Sequence, residues 1–235
     1  MLKVTEIFKS VQGESTYVGL PCAFIRLTGC NLRCNYCDTV YAYENGVDMS
    51  IGEILSDIEL LGCNLVEITG GEPLLQEETR ELVLRLVRDG YRVLVETNGT
   101  LDIGVLPEGA VRIMDLKCPD SGMVDKVDWC NIERLRPDDE VKFVLSSRRD
   151  YEWAKDVIEK YRLSEKAKVL IGVAFGRIEL KRVAHWILED GIDVRFQIQV
   201  HRYIWPPGTQ EGITLRSTCR YENRSGSSTP ERRNG

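Results

Sequence analysis

The chain has 235 residues, of which 43% are hydrophobic, and a formal net charge of −6. A chain of this length can bury one sizeable core, and its acidic balance argues against a protein that binds nucleic-acid backbones. Because no segment has the apolar length of a membrane span or the pattern of a secretory signal, we expect a cytoplasmic protein with no nucleic-acid or membrane partner.

Strands and helices alternate along most of the sequence. Alternating and apolar segments predict strands at residues 3–8, 22–28, 64–69, 91–97, 111–116, 140–146, 168–174 and 193–200. Apolar residues at helical spacing predict helices at residues 50–61, 77–90, 150–161 and 179–190. Ser50 is the expected N-cap of the first helix, because Glu53 follows three residues later.

This alternation predicts an α/β fold with a parallel sheet. About six βα units fit between residues 20 and 200, which is fewer than a complete eight-fold barrel needs. The pattern alone leaves open a partial, open βα barrel and a doubly wound sheet.

The C-terminal segment differs in composition from the rest of the chain. From Thr214, "TLRSTCRYENRSGSSTPERRNG" is rich in Arg, Ser and Gly and has few apolar residues, and Cys219 belongs to it. Such a segment buries too little apolar surface to offset its conformational entropy. We therefore predict one domain over residues 1–213, followed by a disordered tail over residues 214–235.

Four polar loops each follow a predicted strand. Their sequences are "TGCNLRCNYCDT", "TGGEP", "ETNGT" and "DLKCPDSG". In parallel α/β folds, the loops at the carboxyl ends of the strands meet on one face, where ligands bind. We expect the functional site to form from these loops.

The first of these loops carries three cysteines, Cys30, Cys34 and Cys37, in the spacing Cys-x3-Cys-x2-Cys. Thiolates select zinc or iron–sulfur clusters. A structural zinc takes four ligands, whereas the two histidines of the chain, His185 and His201, are far away in sequence. Three thiolates on a 4Fe–4S cluster would instead leave one iron free to bind a small molecule. We favour this interpretation, although a distant fourth ligand stays possible.

The cysteine loop, with Tyr36 before its last cysteine, resembles the radical S-adenosylmethionine (SAM) superfamily. Members of that superfamily hold a 4Fe–4S cluster by three cysteines and bind SAM at the fourth iron. "TGGEP" at 69–73 resembles the superfamily's Gly-Gly-Glu motif, in which glycines allow close approach of the backbone to the ligand. By itself this motif could be an ordinary turn, but it follows the cysteine loop by one βα unit.

Longer stretches resemble one family within that superfamily, the 7-carboxy-7-deazaguanine synthases of queuosine biosynthesis. Residues 8–39, "FKSVQGESTYVGLPCAFIRLTGCNLRCNYCDT", are similar to the opening of that family. "KCPDSGM" at 117–123 and "FQIQVHRYIWPP" at 196–207 are similar to its later motifs. The chain departs from the family pattern at Ser15 and Cys118, where Gly and Pro are usual, and at Tyr36, where Trp is usual.

The resemblance implies a radical SAM type of open βα barrel and a lyase activity. The reaction it implies converts 6-carboxy-5,6,7,8-tetrahydropterin to 7-carboxy-7-deazaguanine, with loss of ammonia. The implied cofactors are a 4Fe–4S cluster, SAM used catalytically, and Mg²⁺. The implied partners are the carboxytetrahydropterin substrate, an electron donor such as flavodoxin or ferredoxin, and a second copy of the chain in a homodimer.

Two alternatives differ from this interpretation. The first is another radical SAM enzyme, such as a glycyl-radical activase, which has the same cysteine spacing but no reason to carry "QGE" before the cluster or "QVHRY" near the end. The second is not an enzyme but a binding or electron-transfer protein stabilised by zinc or an iron–sulfur cluster. An electron carrier would have four protein ligands on its cluster.

The resemblance also implies roles for individual residues. Glu72 is expected to hold its loop, and Asn98 either to reach the cofactor or to form a local turn. The implied ligands are Cys30, Cys34 and Cys37 for the 4Fe–4S cluster and Thr39 for Mg²⁺. The implied SAM-binding residues are Tyr36, Cys37, Asp38, Gly71, Asp115, Leu116 and Lys117. The implied substrate-binding residues are Val11, Gln12, Gly13, Arg26, Thr69 and Pro207.

Overall fold

The strands of the protein form one mixed sheet in a computed structural model that describes residues 1–205 and 212–217. The strands are β1 (Leu2–Val11), β2 (Pro21–Leu27), β3 (Val47–Met49), β4 (Leu65–Gly70), β5 (Arg92–Thr97), β6 (Ala110–Leu116), β7 (Glu140–Leu145), β8 (Lys168–Val173), β9 (Arg195–Phe196) and β10 (Ile213–Ser217). Their order is β10-β1-β2-β4-β5-β6-β7-β8-β9, and β3 pairs with β1.

Neighbouring strands are parallel from β2 to β9, whereas β1 is antiparallel to both β2 and β10. Within the described residues, β9 and β10 are the ends of this order and do not pair with each other. The sheet is therefore open. This confirms the predicted α/β fold with a parallel, partial βα barrel.

Helices connect most of the parallel strands. They are α1 (Ile51–Leu61), α2 (Thr79–Arg88), α3 (Arg148–Tyr161), α4 (Leu163–Lys166), α5 (Leu180–Asp190) and α6 (His201–Ile204). Ser50 and Glu53 form the predicted capping box at the start of α1. Short 3-10 helices, not α-helices, fill the connections from β5 to β6 and from β6 to β7. None of the helices in the described ranges is long and apolar enough to cross a membrane.

The parallel strands have two chemically different faces. On β4, Val66 and Ile68 belong to the core beneath the helices, whereas Glu67 and Thr69 lie on the opposite face. On β7, Phe143 packs under the helices and Lys142 lies on the opposite face. Because side chains alternate between faces along a strand, the inner face can be polar while the outer face stays apolar.

Two predicted boundaries near the C-terminus need correction. The strand predicted over residues 193–200 is only Arg195–Phe196, because Gln197 and Gln199 instead bond to the loop between β1 and β2. The tail predicted from residue 214 begins with β10, which pairs with β1. A strand of this kind needs few apolar residues, since it completes a sheet edge through backbone hydrogen bonds. Residues 218–235, including Cys219, lie outside the described residues.

Candidate active site

A cavity of about 670 Å³ lies at the carboxyl ends of the parallel strands. All four polar loops singled out in the sequence contribute to its wall, through Cys30, Gly71, Asn98 and Lys117 among others. The inner faces of β1, β2, β4, β5, β6 and β7 supply much of the remaining surface. The predicted convergence of these loops is therefore confirmed.

The three cysteines lie in residues 28–39, which we call the cluster loop. Cys30, Cys34 and Cys37 are half-buried free thiols that line the cavity together. The backbone N–H of Leu32 donates to the Cys30 sulfur at 3.4 Å. In the part of the chain that the structure describes, no three His, Cys, Asp or Glu side chains are arranged to hold a single metal ion. Soft sulfur donors on one loop, with an N–H directed at sulfur, fit an iron–sulfur cluster.

The guanidinium of Arg33, a residue of the cluster loop, bonds to the backbone of the same loop. It donates to the carbonyl oxygens of Cys30 and Leu32, at 2.8 and 2.7 Å. It also lies over the ring of Tyr43, 4.1 Å from the ring centre. These contacts hold the turn that begins at the first cysteine.

The Gly-Gly-Glu loop packs directly on the cluster loop. A Cβ atom at Gly71 would lie 2.0 Å from the carbonyl oxygen of Gly29 and 2.8 Å from the Cβ of Cys30, so only glycine fits there. The backbone N–H of Glu72 donates to the same Gly29 oxygen at 2.7 Å. The two loops are therefore fixed in position relative to each other, and Gly71 lines the cavity.

The Glu72 side chain joins the ends of β4 and β5. Its carboxylate is fully buried and accepts hydrogen bonds from the Thr97 hydroxyl at 2.8 Å and from the backbone N–H of Asn98 at 2.7 Å. It also accepts from the N–H of Leu74 at 2.9 Å. Glu72 is thus placed to hold its loop.

Asn98 forms the local turn that the sequence suggested and also contacts the cluster loop. Its side-chain oxygen accepts from the backbone N–H of Thr100 at 3.0 Å, which closes a local turn. Its side-chain N–H donates to the Asn31 oxygen at 2.9 Å, which ties that turn to the cluster loop. The side chain also lines the cavity.

The segment after β6 brings a charged pair to the cavity. Lys117 Nζ donates to the Asp115 carboxylate at 2.7 Å, and both side chains line the cavity. Leu116 lies between them, but its side chain is fully buried in the core under the helices. Strand alternation turns it away from the cavity, so any ligand contact from Leu116 would come from its backbone.

The end of β1 and the loop after it carry the implied substrate residues Val11, Gln12 and Gly13, which all line the cavity. The Gln12 amide donates to the carboxylate of Glu67 on β4. A Cβ atom at Gly13 would lie 2.0 Å from Nδ1 of His201, so glycine lets α6 pack close to this loop.

Arg26 and Thr69 extend from neighbouring strands into the cavity. The Arg26 guanidinium donates to Glu6 Oε1 at 2.7 Å and lies 5.8 Å from the centres of the Phe8 and Tyr41 rings. The Thr69 hydroxyl donates to the Glu96 carboxylate at 3.0 Å. The predicted substrate residue Pro207 lies outside the described residues.

The end of the cluster loop forms a polar corner of the cavity. The Thr39 hydroxyl donates to Asp38 Oδ1 at 2.8 Å, and Arg202 donates to Asp38 Oδ2 at 2.7 Å. The Tyr36 hydroxyl donates to the carbonyl oxygen of Val144 on β7 at 3.2 Å. The Thr39 hydroxyl and the Asp38 carboxylate thus place oxygen atoms at this corner of the cavity.

A buried ionic network on the inner face was missed in the sequence. Lys142 Nζ lies 3.0 Å from Glu14 and also contacts Glu96. Burial lowers the pKa of Lys142, but the carboxylates of Glu14 and Glu96 raise it more, so the group stays a cation. Burial likewise raises the pKa of Glu96, but Lys142 outweighs this effect and lowers it. The pair is a cation and an anion at neutral pH.

Glu67 behaves differently from its neighbours. Burial raises its pKa, the nearby Glu96 carboxylate raises it further, and it reaches about 8. The side chain is therefore mostly a neutral carboxylic acid at pH 7. In the sequence, the signal for Glu67 and Lys142 was a charged residue between apolar residues in two strands, "LVEITG" and "EVKFVL".

Comparison with known proteins agrees with this geometry. Residues 24–177 match the model of the radical SAM superfamily. A 7-carboxy-7-deazaguanine synthase from Koribacter versatilis is 44% identical over 226 residues, which cover 89% of this chain and 99% of that protein. The synthase of the same name from Chlorobaculum tepidum is 41% identical over 209 residues, covering 88% and 95%.

A solved structure shows the same fold. The crystal structure of QueE from Escherichia coli superposes with a TM-score of 0.72 at 22% identity, over 85% of this chain and 94% of that chain. The cluster loop, the Gly-Gly-Glu loop and the open parallel sheet occur together here, as the match to the superfamily requires. The chain therefore belongs to the radical SAM superfamily and, within it, to the 7-carboxy-7-deazaguanine synthases.

Proposed function

We propose that this lyase converts 6-carboxy-5,6,7,8-tetrahydropterin to 7-carboxy-7-deazaguanine with loss of ammonia, as a step of queuosine biosynthesis. The main support is one cavity that joins the three-cysteine loop to the polar inner face of the sheet. Its volume of about 670 Å³ lies within the range of small-molecule sites. The names of the relatives at 44% and 41% identity give the product.

The cluster side of the cavity supports the proposed cofactors. The Cys30, Cys34 and Cys37 thiolates would hold a 4Fe–4S cluster, and the Gly71 backbone with the Asp115–Lys117 segment would bind SAM. When bound, these groups would supply a 5′-deoxyadenosyl radical that takes a hydrogen atom from the substrate and later returns it. The residues of the chain would bind and orient the reactants.

The sheet side of the cavity supports the proposed substrate. Arg26 presents a guanidinium that can bind the substrate carboxylate, since Glu6 engages only part of its donor set. Glu67, as a neutral acid, can both donate and accept hydrogen bonds on a ring that carries donors and acceptors. Thr69 and the Val11–Gly13 segment would complete this side, and Thr39 would hold Mg²⁺ near substrate oxygens.

The remaining parts of the proposal concern partners and location. The reducing electron would come from a donor such as flavodoxin or ferredoxin. The protein would form a homodimer and would lie in the cytoplasm. Pro207 is assigned to the substrate by family resemblance alone. These assignments rest on the family to which the chain belongs.

Anaerobic turnover tests the proposal. The reconstituted chain should contain about four irons and four sulfides. With SAM, dithionite, Mg²⁺ and the carboxytetrahydropterin, it should form the deazapurine, seen by its ultraviolet spectrum, while Cys37→Ser should form none. A chelator that removes Mg²⁺ but leaves the cluster should lower the rate. Formation of 5′-deoxyadenosine without deazapurine would contradict the substrate and favour another radical SAM activity, whereas one zinc per chain would contradict the cluster.

A further inference from the structure

Residues 118–123 follow β6 and pack against the cluster loop; we call them the clamp segment. Pro119–Ser121 is one turn of 3-10 helix, and Gly122 ends it with φ of 74°, a left-handed conformation that favours glycine. A Cβ atom at Gly122 would also lie 3.2 Å from Nδ2 of Asn35. The conformation of the segment is thus closely specified where it touches the cluster loop.

Asn35 bonds to the clamp segment through both its backbone and its side chain. The backbone N–H of Asn35 donates to the carbonyl oxygen of Ser121 at 3.0 Å. Its side-chain N–H donates to the carbonyl oxygen of Asp120 at 3.1 Å. A residue next to the cysteine Cys34 is therefore held by two hydrogen bonds from outside the cluster loop.

Arg33, on the other side of Cys34, also bonds to the clamp segment. Its backbone N–H donates to the thioether sulfur of Met123 at 3.5 Å. Both peptide neighbours of Cys34 are thus bonded to the same short segment. Such contacts restrict where the Cys34 sulfur can lie, although no clamp residue has to ligate the cluster.

The clamp segment is itself anchored in the buried part of the protein. Ser121 is fully buried; its hydroxyl donates to the carbonyl oxygen of Cys118 at 2.6 Å and accepts from the N–H of Met123 at 3.0 Å. Asp150, in the first turn of α3, accepts from the N–H of Asp120 at 2.9 Å. The Ser121 bonds thus keep the segment in one shape, and the Asp150 bond fixes it to α3.

We propose that the clamp segment positions Cys34 for cluster binding and that Ser121 is the positioning residue that keeps the segment in shape. This inference rests on the 4Fe–4S cluster of the proposed function. Lys117, which lines the cavity, directly precedes the segment, so one stretch of backbone joins the proposed SAM-binding residues to the cluster loop. Loosening the segment should therefore affect both cluster retention and the response of the cluster to SAM.

The test compares Ser121→Ala with the matched control Ser164→Ala in the full, anaerobically reconstituted chain. The Ser164 hydroxyl also donates to a backbone carbonyl, that of Asp193 at 2.9 Å, but outside the site. We expect Ser121→Ala to lose its cluster to an iron chelator about tenfold faster than the wild type, the scale for loss of an outer partner of a metal ligand. Addition of SAM should also change the electron paramagnetic resonance spectrum of its reduced cluster differently from that of the wild type.

Cluster loss at the wild-type rate in folded Ser121→Ala would overturn the proposal, and so would equal acceleration in Ser164→Ala. If Ser121→Ala does not fold, Met123→Leu replaces it, since leucine keeps the volume and removes only the acceptor for Arg33. Met123→Leu should also lose its cluster faster than the wild type, though by a smaller factor than Ser121→Ala. Cluster loss at the wild-type rate in Met123→Leu overturns the proposal. A wild type without iron also overturns it, whereas a full cluster without deazapurine formation overturns only the substrate assignment.

Discussion

Glu67 shows how burial decides the chemistry of a single residue. It lies on β4 among charged neighbours, and burial together with Glu96 raises its pKa to about 8. Below its ordinary pKa of 4.5 the carboxyl is protonated in both folded and unfolded chains. Between these two values the unfolded chain loses the proton and the folded chain keeps it, so stability falls as pH rises.

Glu67→Gln should remove this loss, because glutamine does not ionise and can still accept from Gln12. The free energy of unfolding of the variant at pH 7 should exceed that of the wild type by about 3 kcal/mol, and the difference should be close to zero at about pH 3.5. Denaturant unfolding followed by tryptophan fluorescence at the two pH values measures it. The exposed control Glu133→Gln should change little at either pH; an equal effect of Glu67→Gln at both would contradict the pKa assignment.

Gly71 is a second residue whose role follows from the atoms around it. Gly71→Ala would place a Cβ 2.0 Å from the Gly29 oxygen, and relief of that clash must move the cluster loop. We expect most of the bound iron and all turnover to be lost, as measured by iron analysis after anaerobic reconstitution. Gly52→Ala is the matched control, since its nearest neighbouring atom is 3.9 Å away and alanine favours a helix. Normal iron content in Gly71→Ala would show that the close approach is not needed.

At the scale of elements, a buried ion pair joins β6 to the start of β7. Arg112 is 1% exposed; its Nε donates to Asp139 Oδ2 at 2.9 Å and its backbone N–H to Asp139 Oδ1 at 3.0 Å. The connection between these strands has no α-helix to pack beneath it. Instead, the Asp139 carboxylate accepts hydrogen bonds from backbone and side-chain donors of this connection, including the N–H of Arg136.

Asp139→Ala should therefore destabilise the protein strongly, by about 3–5 kcal/mol, because it leaves the Arg112 cation buried without its partner. Arg112→Met combined with Asp139→Ala should recover part of this loss. Glu165→Ala, which breaks the exposed pair with Arg162, should cost less than about 1 kcal/mol. Denaturant titration measures the free energy of unfolding of each variant. Equal losses of this free energy in Asp139→Ala and Glu165→Ala would exclude the proposed role for Asp139.

The elements also show which parts of the fold the sequence could predict. Each predicted helix was found, because its apolar spacing and, for α1, its capping box are local signals. The strand predicted over 193–200 was too long, because its glutamines bond to residues near the N-terminus, such as Ser15. Local periodicity carries no information about such distant partners.

At the scale of the whole molecule, β10 closes the outer edge of β1 and Arg216 forms an ion pair with Asp57 of α1. A chain that ends at Gly212 should lose both contacts and unfold about 3–8 °C lower, from a loss of about 1–2 kcal/mol. A chain that ends at Ser217 keeps both contacts and should unfold at a higher temperature than the chain that ends at Gly212. Thermal unfolding followed by circular dichroism measures both; equal temperatures for the two truncations would show that β10 adds no stability.

The sequence by itself determined the type of fold and the chemistry of the cluster loop. The strand and helix periodicities predicted an open parallel α/β sheet, and Cys30, Cys34 and Cys37 lie close enough along the chain for their spacing to carry the signal. These features are local, so they can be recognised before the chain is folded.

Only the tertiary structure decided what surrounds that loop. Lys142 meets Glu14 across 128 residues, and Arg202 meets Asp38 across 164. Likewise, the clamp segment reaches the cluster loop from the end of β6. The physical reason is that parallel strands bring their carboxyl ends to one edge of the sheet, where burial and neighbours distant in sequence together set the pKa of groups such as Glu67 and Lys142.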